Sequence, residues 1–434
     1  MPSNYLNTGM NNSWNNIDKE NIWHPYSPLK GIDDNILITA ASGVYLHTAD
    51  GRKIIDAISS WWVNLHGHSN PYIANAIAEQ AKKLEHVIFA GFTHEPAITL
   101  SERLLKILPG EQTKIFYSDN GSTAVEVAIK LALQYHHNQG EKPGKIAALQ
   151  GSFHGDTFGA MAVGERGLFN KPFHNYLFEV CYLDLPSEEN EDAAANQLEE
   201  LAKKENISAF IYEPLVQGAS GMRIYPKKAL EKILAVAKKN NIICIADEVM
   251  TGFGRTGKLF ASEYMHEKPD IICLSKGITG GFLPLGATTC NSKIISGFDT
   301  ADKSKAFYHG HSYTANPISC AAANASLDLL LGKECLKKIE SISASHLDFA
   351  KKINTHPKVS SVKTLGTILS IEIMAGDESG YLNSQRDYIY NFCLSKNTLL
   401  RPLGNIVYIL PPYVIEENEL LIVYNTLLEL LKSI

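Results

Sequence analysis

Two short apolar segments of this 434-residue chain are each followed closely by a charged residue. Segment 242–246 runs directly into Asp247, and segment 271–274 is followed, after one serine, by Lys276. Uncharged apolar runs of four or five residues are typical of strands that are buried on both faces of a parallel sheet. Because ligands of open parallel sheets bind at the carboxyl ends of the strands, we predict that this carboxylate and this amine share one site.

Apolar segments of this kind alternate with helical patterns from about residue 97 to 330. The alternation predicts an α/β fold with a mostly parallel sheet and helices on both faces. After about residue 335 the pattern becomes that of a smaller α+β domain. We therefore predict an N-terminal segment that packs with the small domain (1–65), a large domain (66–332) and a small C-terminal domain (333–434).

Individual elements follow from the same patterns. A turn signal at Asp50-Gly51 between two strand-like runs predicts a hairpin, which we expect to pack with the C-terminal part. Besides the two segments above, the predicted strands are 114–118, 146–149, 208–212, 285–289, 359–363, 367–374 and 406–410, and the predicted helices are 124–136, 227–239, 341–353, 384–396 and 415–432.

Composition limits the class of function. The formal net charge of −6 disfavours nucleic acid and anionic membranes as partners. Seven cysteines are scattered without Cys-x-x-Cys spacing, so we expect reduced thiols, no disulfides and no metal site. No apolar run approaches the length of a membrane span, and the first residues lack the pattern of a signal peptide. These features predict a cytoplasmic protein.

An acid and a lysine at one sheet edge suit the cofactor pyridoxal phosphate. The lysine amine can condense with the cofactor's aldehyde, and the acid can pair with its pyridine nitrogen. A lone aspartate after a strand is more often a helix cap, and a lone lysine is usually a surface charge. Gly277, Gly280 and Gly281 favour a functional role for Lys276, because they would let the backbone pass close to a bound ring.

A phosphate site is predicted at Asn120-Gly121-Ser122, where a strand turns into a helix. Unpaired N–H groups, the helix dipole and a serine hydroxyl can all hold a phosphate at such a position. Taken alone, the pattern also describes an ordinary turn and helix cap. Together with the acid and the lysine, it favours a cofactor phosphate. The polar loop 308–314 is the candidate for a second phosphate contact.

Two side chains are predicted to hold the cofactor ring. Val249 would press on one face, and Phe153, which precedes His154-Gly155, would stack on the other. A plain core position is the ordinary alternative for Phe153.

With these residues placed, the chain resembles the class III aminotransferases of fold type I over residues 20–430. The shared stretches are 246–249 (Ala-Asp-Glu-Val), 251–258 (Thr-Gly-Phe-Gly-Arg-Thr-Gly-Lys) and 275–277 (Ser-Lys-Gly). The resemblance implies pyridoxal phosphate as cofactor and a seven-stranded, mostly parallel sheet in the large domain. It also implies a small domain built from both termini, and a homodimer with active sites at the interface.

Further stretches resemble the branch of the class that aminates 8-amino-7-oxononanoate to 7,8-diaminononanoate in biotin synthesis. They are 23–26, 59–62, 156–161, 217–222 and 401–404. The resemblance implies S-adenosylmethionine as amino donor, with lysine as the alternative. The best-known members of the branch carry tyrosine where this chain has Phe153, and Pro-Thr where it has His311-Ser312.

The resemblance also assigns residues to the site. Arg401 is expected to bind the acceptor's carboxylate by two contacts, and Ser312 to reach the phosphate from the neighbouring subunit. The implied substrate-binding residues are Tyr26, Trp61, Trp62, Phe153, Lys276, Gly310, Arg401 and Tyr408. The implied cofactor-binding residues are Asn120, Gly121, Ser122, Phe153, Asp247, Val249, Lys276, His311 and Ser312, with Lys276 and Asp247 as the catalytic pair.

Other functions are left as alternatives. Aminotransferases for 4-aminobutyrate, acetylornithine or general ω-amines share the cofactor residues, but the Trp61-Trp62 pair and the context of Arg401 argue against them. A cofactor-binding regulator would need a nucleic-acid-binding module, and residues 1–20 are too short and uncharged for one. A catalytically silent relative would have lost the lysine or the acid. A nicotinamide enzyme is disfavoured because no Gly-x-Gly-x-x-Gly follows a first strand.

Overall fold

The computed structural model describes residues 8–31, 33–374, 383 and 385–434, with side chains from residue 13 onward. Residues 1–7 of the predicted N-terminal segment and the first residue of the predicted helix 384–396 lie outside the described residues.

In chain order the strands are β1 (Ile38–Ser42), β2 (Tyr45–Thr48), β3 (Lys53–Asp56), β4 (Gln112–Ser118), β5 (Lys145–Leu149), β6 (Val180–Leu183), β7 (Ile207–Tyr212), β8 (Val216–Gln217), β9 (Arg223–Ile224), β10 (Ile243–Asp247), β11 (Ile271–Leu274), β12 (Gly286–Asn291), β13 (Val359–Leu365), β14 (Ile368–Ile373), β15 (Thr398–Leu399) and β16 (Ile406–Ile409). The α-helices are α1 (Thr8–Asn21), α2 (Ser59–Trp62), α3 (Pro71–Lys83), α4 (Glu95–Ile107), α5 (Gly121–Asn138), α6 (Phe158–Val163), α7 (Ala193–Lys204), α8 (Lys227–Lys239), α9 (Ser292–Ser296), α10 (Pro317–Leu330), α11 (Lys333–Ile353), α12 (Gln385–Ser395) and α13 (Glu417–Ser433).

A seven-stranded sheet forms the centre of the fold, in the order β4-β12-β11-β10-β7-β5-β6. Neighbouring strands are parallel except where β12 runs antiparallel to β11 and β4. Along β10, Ile243 and Ile245 belong to one hydrophobic cluster, and Cys244 and Ala246 to another. Since alternate residues of a strand point to opposite faces, both faces of the sheet are packed against apolar layers. The predicted α/β fold with a mostly parallel seven-stranded sheet is confirmed.

Smaller sheets connect the two ends of the chain. Strands β2 and β3 form the predicted hairpin, and β3 pairs in parallel with β15 from the C-terminal part, so that β1-β2-β3-β15 is one sheet. Strands β13-β14-β16 form an antiparallel sheet that contacts α11. Helix α11 begins beside the predicted boundary at 332/333, while the boundaries themselves stay predictions. None of the helices in the described ranges is both long and apolar enough to cross a membrane.

Candidate active site

The carboxyl ends of β10 and β11 bring Asp247 and Lys276 to one cavity. The two strands are parallel neighbours, and Asp247 lies opposite Cys273, three positions before Lys276. Both side chains line a cavity of about 1400 Å³. The lysine Nζ lies 4.6 Å from the ring centroid of Trp62, which lines the same cavity. The structure thus brings together the two residues that the strand pattern predicted to share a site.

Lys276 has an unusual backbone and an enclosed amine. It begins a short 3₁₀ turn, Lys276–Thr279, with a φ of +46°. Such backbone strain in a non-glycine residue persists where the surrounding structure enforces it, often at functional sites. Burial lowers the pKa of Lys276 below its usual 10.5, and the charges of Asp247 and Glu213 act in the opposite direction. A lower pKa increases the fraction of neutral amine, which is the form that can accept a proton.

Asp247 is held by two neighbours at the wall of the cavity. Its side chain is buried, with Oδ2 2.7 Å from His154 Nδ1, and Oδ1 accepts a hydrogen bond from Val249 N at 3.1 Å. His154 is also buried, and its Nε2 has no hydrogen-bond partner among the described residues. These contacts fix the orientation of the carboxylate.

The N-terminal end of α5 forms another part of the cavity wall. Asn120 caps this helix: its side chain accepts a hydrogen bond from Thr123 N, and its own N–H donates to the Thr123 hydroxyl. Gly121 and Ser122 follow and line the cavity. A Cβ added to Gly121 would lie 2.8 Å from Val249 Cγ1, so only glycine fits between the helix and this valine. The helix end that favours an anion therefore faces the cavity.

Phe153 and Val249 both line the cavity, as expected of residues that hold a flat ring. Their stacking on opposite faces of the cofactor stays a prediction.

The residues predicted for substrate binding form an aromatic wall. Trp62 is 5% exposed, and its Nε1 donates to Tyr408 Oη at 3.0 Å. Trp61 is 39% exposed; its ring lies 5.6 Å from that of Tyr26 and 4.3 Å from the guanidinium carbon of Arg401. All five side chains line the cavity that contains the lysine. A long apolar molecule with one anionic end would match such a wall.

Gly310, His311 and Ser312 are placed elsewhere. None of the three is among the described residues that line this cavity. Gly310 and Ser312 are exposed, and a Cβ added to Gly310 would meet no atom within 4 Å. Their predicted contribution to the site of a second copy of the chain requires a dimer and stays a proposal.

Glu213 is a cavity residue that the sequence reasoning missed. It directly follows β7, the parallel neighbour of β10, so it stands at the same sheet edge as Asp247. Its two oxygens accept hydrogen bonds from Phe153 N at 3.1 Å and Gly218 N at 2.8 Å. Burial raises the pKa of Glu213 to about 7. The signal that could have found it is the one used for Asp247, a charged residue at the end of an apolar strand.

Replacing Glu213 by glutamine should change how stability depends on pH. Between about pH 4.5 and 7 the unfolded chain loses this proton while the folded chain keeps it, so the ionisation progressively destabilises the wild type as pH rises. Glutamine cannot ionise. Relative to the wild type, the free energy of unfolding of Glu213→Gln should therefore rise by roughly 3 kcal/mol across this window. Thermal unfolding of both holoenzymes over a pH series measures the trend.

The control for this experiment is Glu334→Gln, which changes an exposed glutamate. Its midpoint over the same pH series measures the effect of a glutamine at a position outside the cavity. A difference between Glu213→Gln and the wild type that does not change with pH would contradict the raised pKa of Glu213.

The residues of the cavity fit pyridoxal phosphate. The N-terminal end of α5, with Gly121 and Ser122, lines the cavity, where helix N–H groups and the dipole favour an anion. The buried carboxylate of Asp247 and the half-buried Lys276 stand at the same sheet edge, where they can meet a ring nitrogen and an aldehyde.

Comparison with known proteins agrees with this geometry. The sequence model of the family described as "Aminotransferase class-III" matches residues 30–431. The adenosylmethionine-8-amino-7-oxononanoate aminotransferase of Synechococcus elongatus is 47% identical, with 95% of this chain and 99% of the relative covered. The enzyme of the same name from Helicobacter pylori is 37% identical, with 96% and 97% covered.

Solved structures give the same result. The crystal structure of adenosylmethionine-8-amino-7-oxononanoate aminotransferase from Methanocaldococcus jannaschii superposes with a TM-score of 0.93 at 36% identity, with 98% of this chain and 99% of that chain covered. An omega transaminase from Pseudomonas jessenii, solved in complex with PMP, gives a TM-score of 0.90 at 25% identity, with 96% and 97% covered. With the acid, the lysine and the helix end in one cavity, and with the family matched over nearly the whole length, the chain belongs to the class III aminotransferases.

Proposed function

We propose that this pyridoxal phosphate-dependent aminotransferase transfers an amino group from S-adenosylmethionine to 8-amino-7-oxononanoate, giving 7,8-diaminononanoate for biotin synthesis. The observation that carries the proposal is that the aromatic wall and Arg401, which contacts Trp61, line the same cavity as Lys276. Support comes from the relatives and the solved structure that bear this activity in their names.

The cofactor would be held by residues of three segments. Asn120, Gly121 and Ser122 would bind its phosphate, Asp247 its ring nitrogen and Lys276 its aldehyde carbon. When bound, pyridoxal phosphate supplies a carbonyl that takes up the donor's amino group and a ring that accepts the electrons left by the departing proton.

Lys276 would move the proton during both halves of the reaction. Its Nζ, with a pKa lowered by burial, can take the proton from the reacting carbon of the donor and later return one to the acceptor. The ring of Trp62 lies 4.6 Å from Nζ on the wall of the same cavity. Donor and acceptor use the same base in turn, so they should compete at high concentration.

The aromatic wall would select the acceptor. Trp61, Trp62 and Tyr26 offer apolar surface to its chain, and the guanidinium of Arg401 can bind its carboxylate with two parallel N–H donors. A short dicarboxylate would leave much of this surface without contact, so it should be a poor acceptor.

We also propose a homodimer in the cytoplasm. The loop that carries Gly310 and Ser312 is exposed, with Tyr308 and Tyr313 at 76% and 65% exposure, and a second copy would bury it. In this arrangement Ser312, with His311, would reach the phosphate bound to the partner. The free thiols of the described chain support a reducing compartment.

The experiment that tests the function is a two-part assay of the holoenzyme. S-adenosylmethionine and lysine are each mixed with it while the absorbance of the cofactor is followed, and we expect the absorbance to change quickly only with S-adenosylmethionine. Acceptors are then offered in turn, and the product is identified by mass spectrometry. We expect 7,8-diaminononanoate from 8-amino-7-oxononanoate and little turnover with 2-oxoglutarate.

Each contrary outcome has a defined meaning. If only lysine changes the absorbance of the cofactor, lysine is the amino donor, and the proposed acceptor stays the same. Efficient turnover of 2-oxoglutarate, together with none of 8-amino-7-oxononanoate, would assign the chain to another group of class III aminotransferases.

A further inference from the structure

The turn Ser59–Trp62, which carries both tryptophans of the cavity wall, has an unfavourable backbone. Ser59, Ser60 and Trp62 have φ values of +53°, +60° and +68°, and Trp61 between them has a φ of −131° and a ψ of +57°. Residues other than glycine rarely occupy the left-handed region, because the Cβ crowds the backbone. Three such residues within four positions persist only where neighbouring groups hold them.

Asp56 holds the first half of this turn. It ends β3, has no exposed surface and does not line the cavity. Its Oδ2 accepts hydrogen bonds from Ser60 N at 2.6 Å and Ser60 Oγ at 3.1 Å, and lies 2.9 Å from His68 Nε2. Its Oδ1 accepts from Ile58 N at 3.2 Å. Both oxygens are therefore used to bind donors of the turn or its surroundings.

Arg255 holds the second half of the turn. It is 1% exposed and donates to Trp62 O at 3.2 Å, Asn64 O at 3.0 Å and Pro411 O at 2.9 Å. Ser59 Oγ in addition donates to Leu410 O at 2.8 Å. The turn is thus fixed to β3 on one side and to the chain after β16 on the other.

The two rings depend on this backbone for their positions. The ring of Trp62 fits against Gly218, where an added Cβ would lie 3.3 Å from its Cζ3, and covers Lys276. The ring of Trp61 lies between Tyr26 and Arg401. A change in φ at Ser60 would redirect both rings, and with them the surface offered to the acceptor.

We propose that Asp56 is a positioning residue that determines acceptor specificity, because it holds Trp61 and Trp62 in the cavity wall. The proposal rests on the proposed function, in which the acceptor is a long keto acid. Asp56 itself would contact neither the substrate nor the cofactor. The chemistry at Lys276 with a small donor should not depend on it.

The test is Asp56→Asn in the holoenzyme. Because Ile58 N–H and Ser60 N–H point at different oxygens, an asparagine amide group must face one of these donors in either orientation. We expect the KM for 8-amino-7-oxononanoate to rise about tenfold or more, while kcat changes less than about threefold. The rate of the half-reaction with a small amine donor should stay unchanged.

Asp270→Asn is the matched control. Asp270 is 2% exposed and binds Cys244 N and Lys238 Nζ at the opposite end of β10. This variant should lower the thermal midpoint without changing the KM for the acceptor. If Asp56→Asn does not yield enough folded protein, His68→Ala is measured in its place, because it removes one contact of Asp56. This variant should raise the KM for the acceptor by a smaller factor.

A crystal structure of the Asp56→Asn holoenzyme gives a result that does not depend on any substrate. We expect Ser60, which loses its contact with Asp56, to leave the positive φ region and the Trp61 ring to move away from Arg401. An unchanged turn, or an unchanged KM in a folded variant, would overturn the proposal. If the wild-type enzyme does not aminate 8-amino-7-oxononanoate, the proposed function is refuted. The structure of the variant would still test whether Asp56 holds the turn.

Discussion

Lys276→Ala is expected to lower the turnover of the holoenzyme by at least about a thousandfold. The variant loses the amine that stands at the end of β11, and with it both the proposed attachment point for the cofactor and the proposed base. Proton transfer by a positioned side chain alone contributes roughly 10²- to 10⁴-fold. Steady-state kinetics with the proposed donor and acceptor measure the loss.

Lys258→Ala is the matched control for this prediction. Lys258 also has its Nζ 4.6 Å from an aromatic ring, that of Tyr264, but it is exposed and does not line the cavity. Its removal should leave turnover nearly unchanged. Reduction of the wild-type holoenzyme with borohydride, followed by peptide mapping, should find the cofactor on Lys276, and its recovery on another lysine would refute the assignment.

Asp247→Asn is expected to lower kcat by roughly two to four orders of magnitude. Asparagine keeps the shape of the side chain but removes the negative charge that would hold a proton on the ring nitrogen of the cofactor. Loss of one partner from a buried charged pair typically costs about 3–5 kcal/mol, which corresponds to this range of rates. His154 would lose its charged partner as well.

The measurement for Asp247→Asn should separate binding from chemistry. The variant is expected to retain the cofactor, because the helix end at Asn120-Gly121-Ser122 and Lys276, the other proposed contacts, are unchanged. Cofactor content is read from absorbance, and kcat from product formation. A variant with full cofactor content and a kcat close to that of the wild type would show that the charge at this position is dispensable.

The parts of the fold that the sequence predicted well are those with a local pattern. The ends of β10 and β11 are marked by apolar runs followed by charges, and α8 spans the predicted residues 227–239. Strand β6 (Val180–Leu183) was not predicted. It is a four-residue edge strand that is mostly half-buried, so its pattern is short and weak.

The parts of the site that were not predicted depend on contacts between distant residues. Glu213 has a strand-end signal, but its hydrogen bonds to Phe153 and Gly218 exist only in the folded chain. The left-handed backbone of Ser59–Trp62 contradicts local preference, since serine and tryptophan are not residues that favour positive φ. Its cause is the set of partners at Asp56 and Arg255, which no local pattern reveals.

The parallel pairing of β3 with β15 has a consequence for synthesis on the ribosome. Asp56 belongs to β3, whose partner strand Thr398–Leu399 is translated more than 300 residues later. Trp62 likewise donates a hydrogen bond to Tyr408, which is translated later still. All strands of the large sheet have been translated once residue 291 is made, whereas the aromatic wall with Arg401 and Tyr408 needs residues made more than 100 positions later. A chain released between these two points would carry the lysine and the acid without the complete aromatic wall.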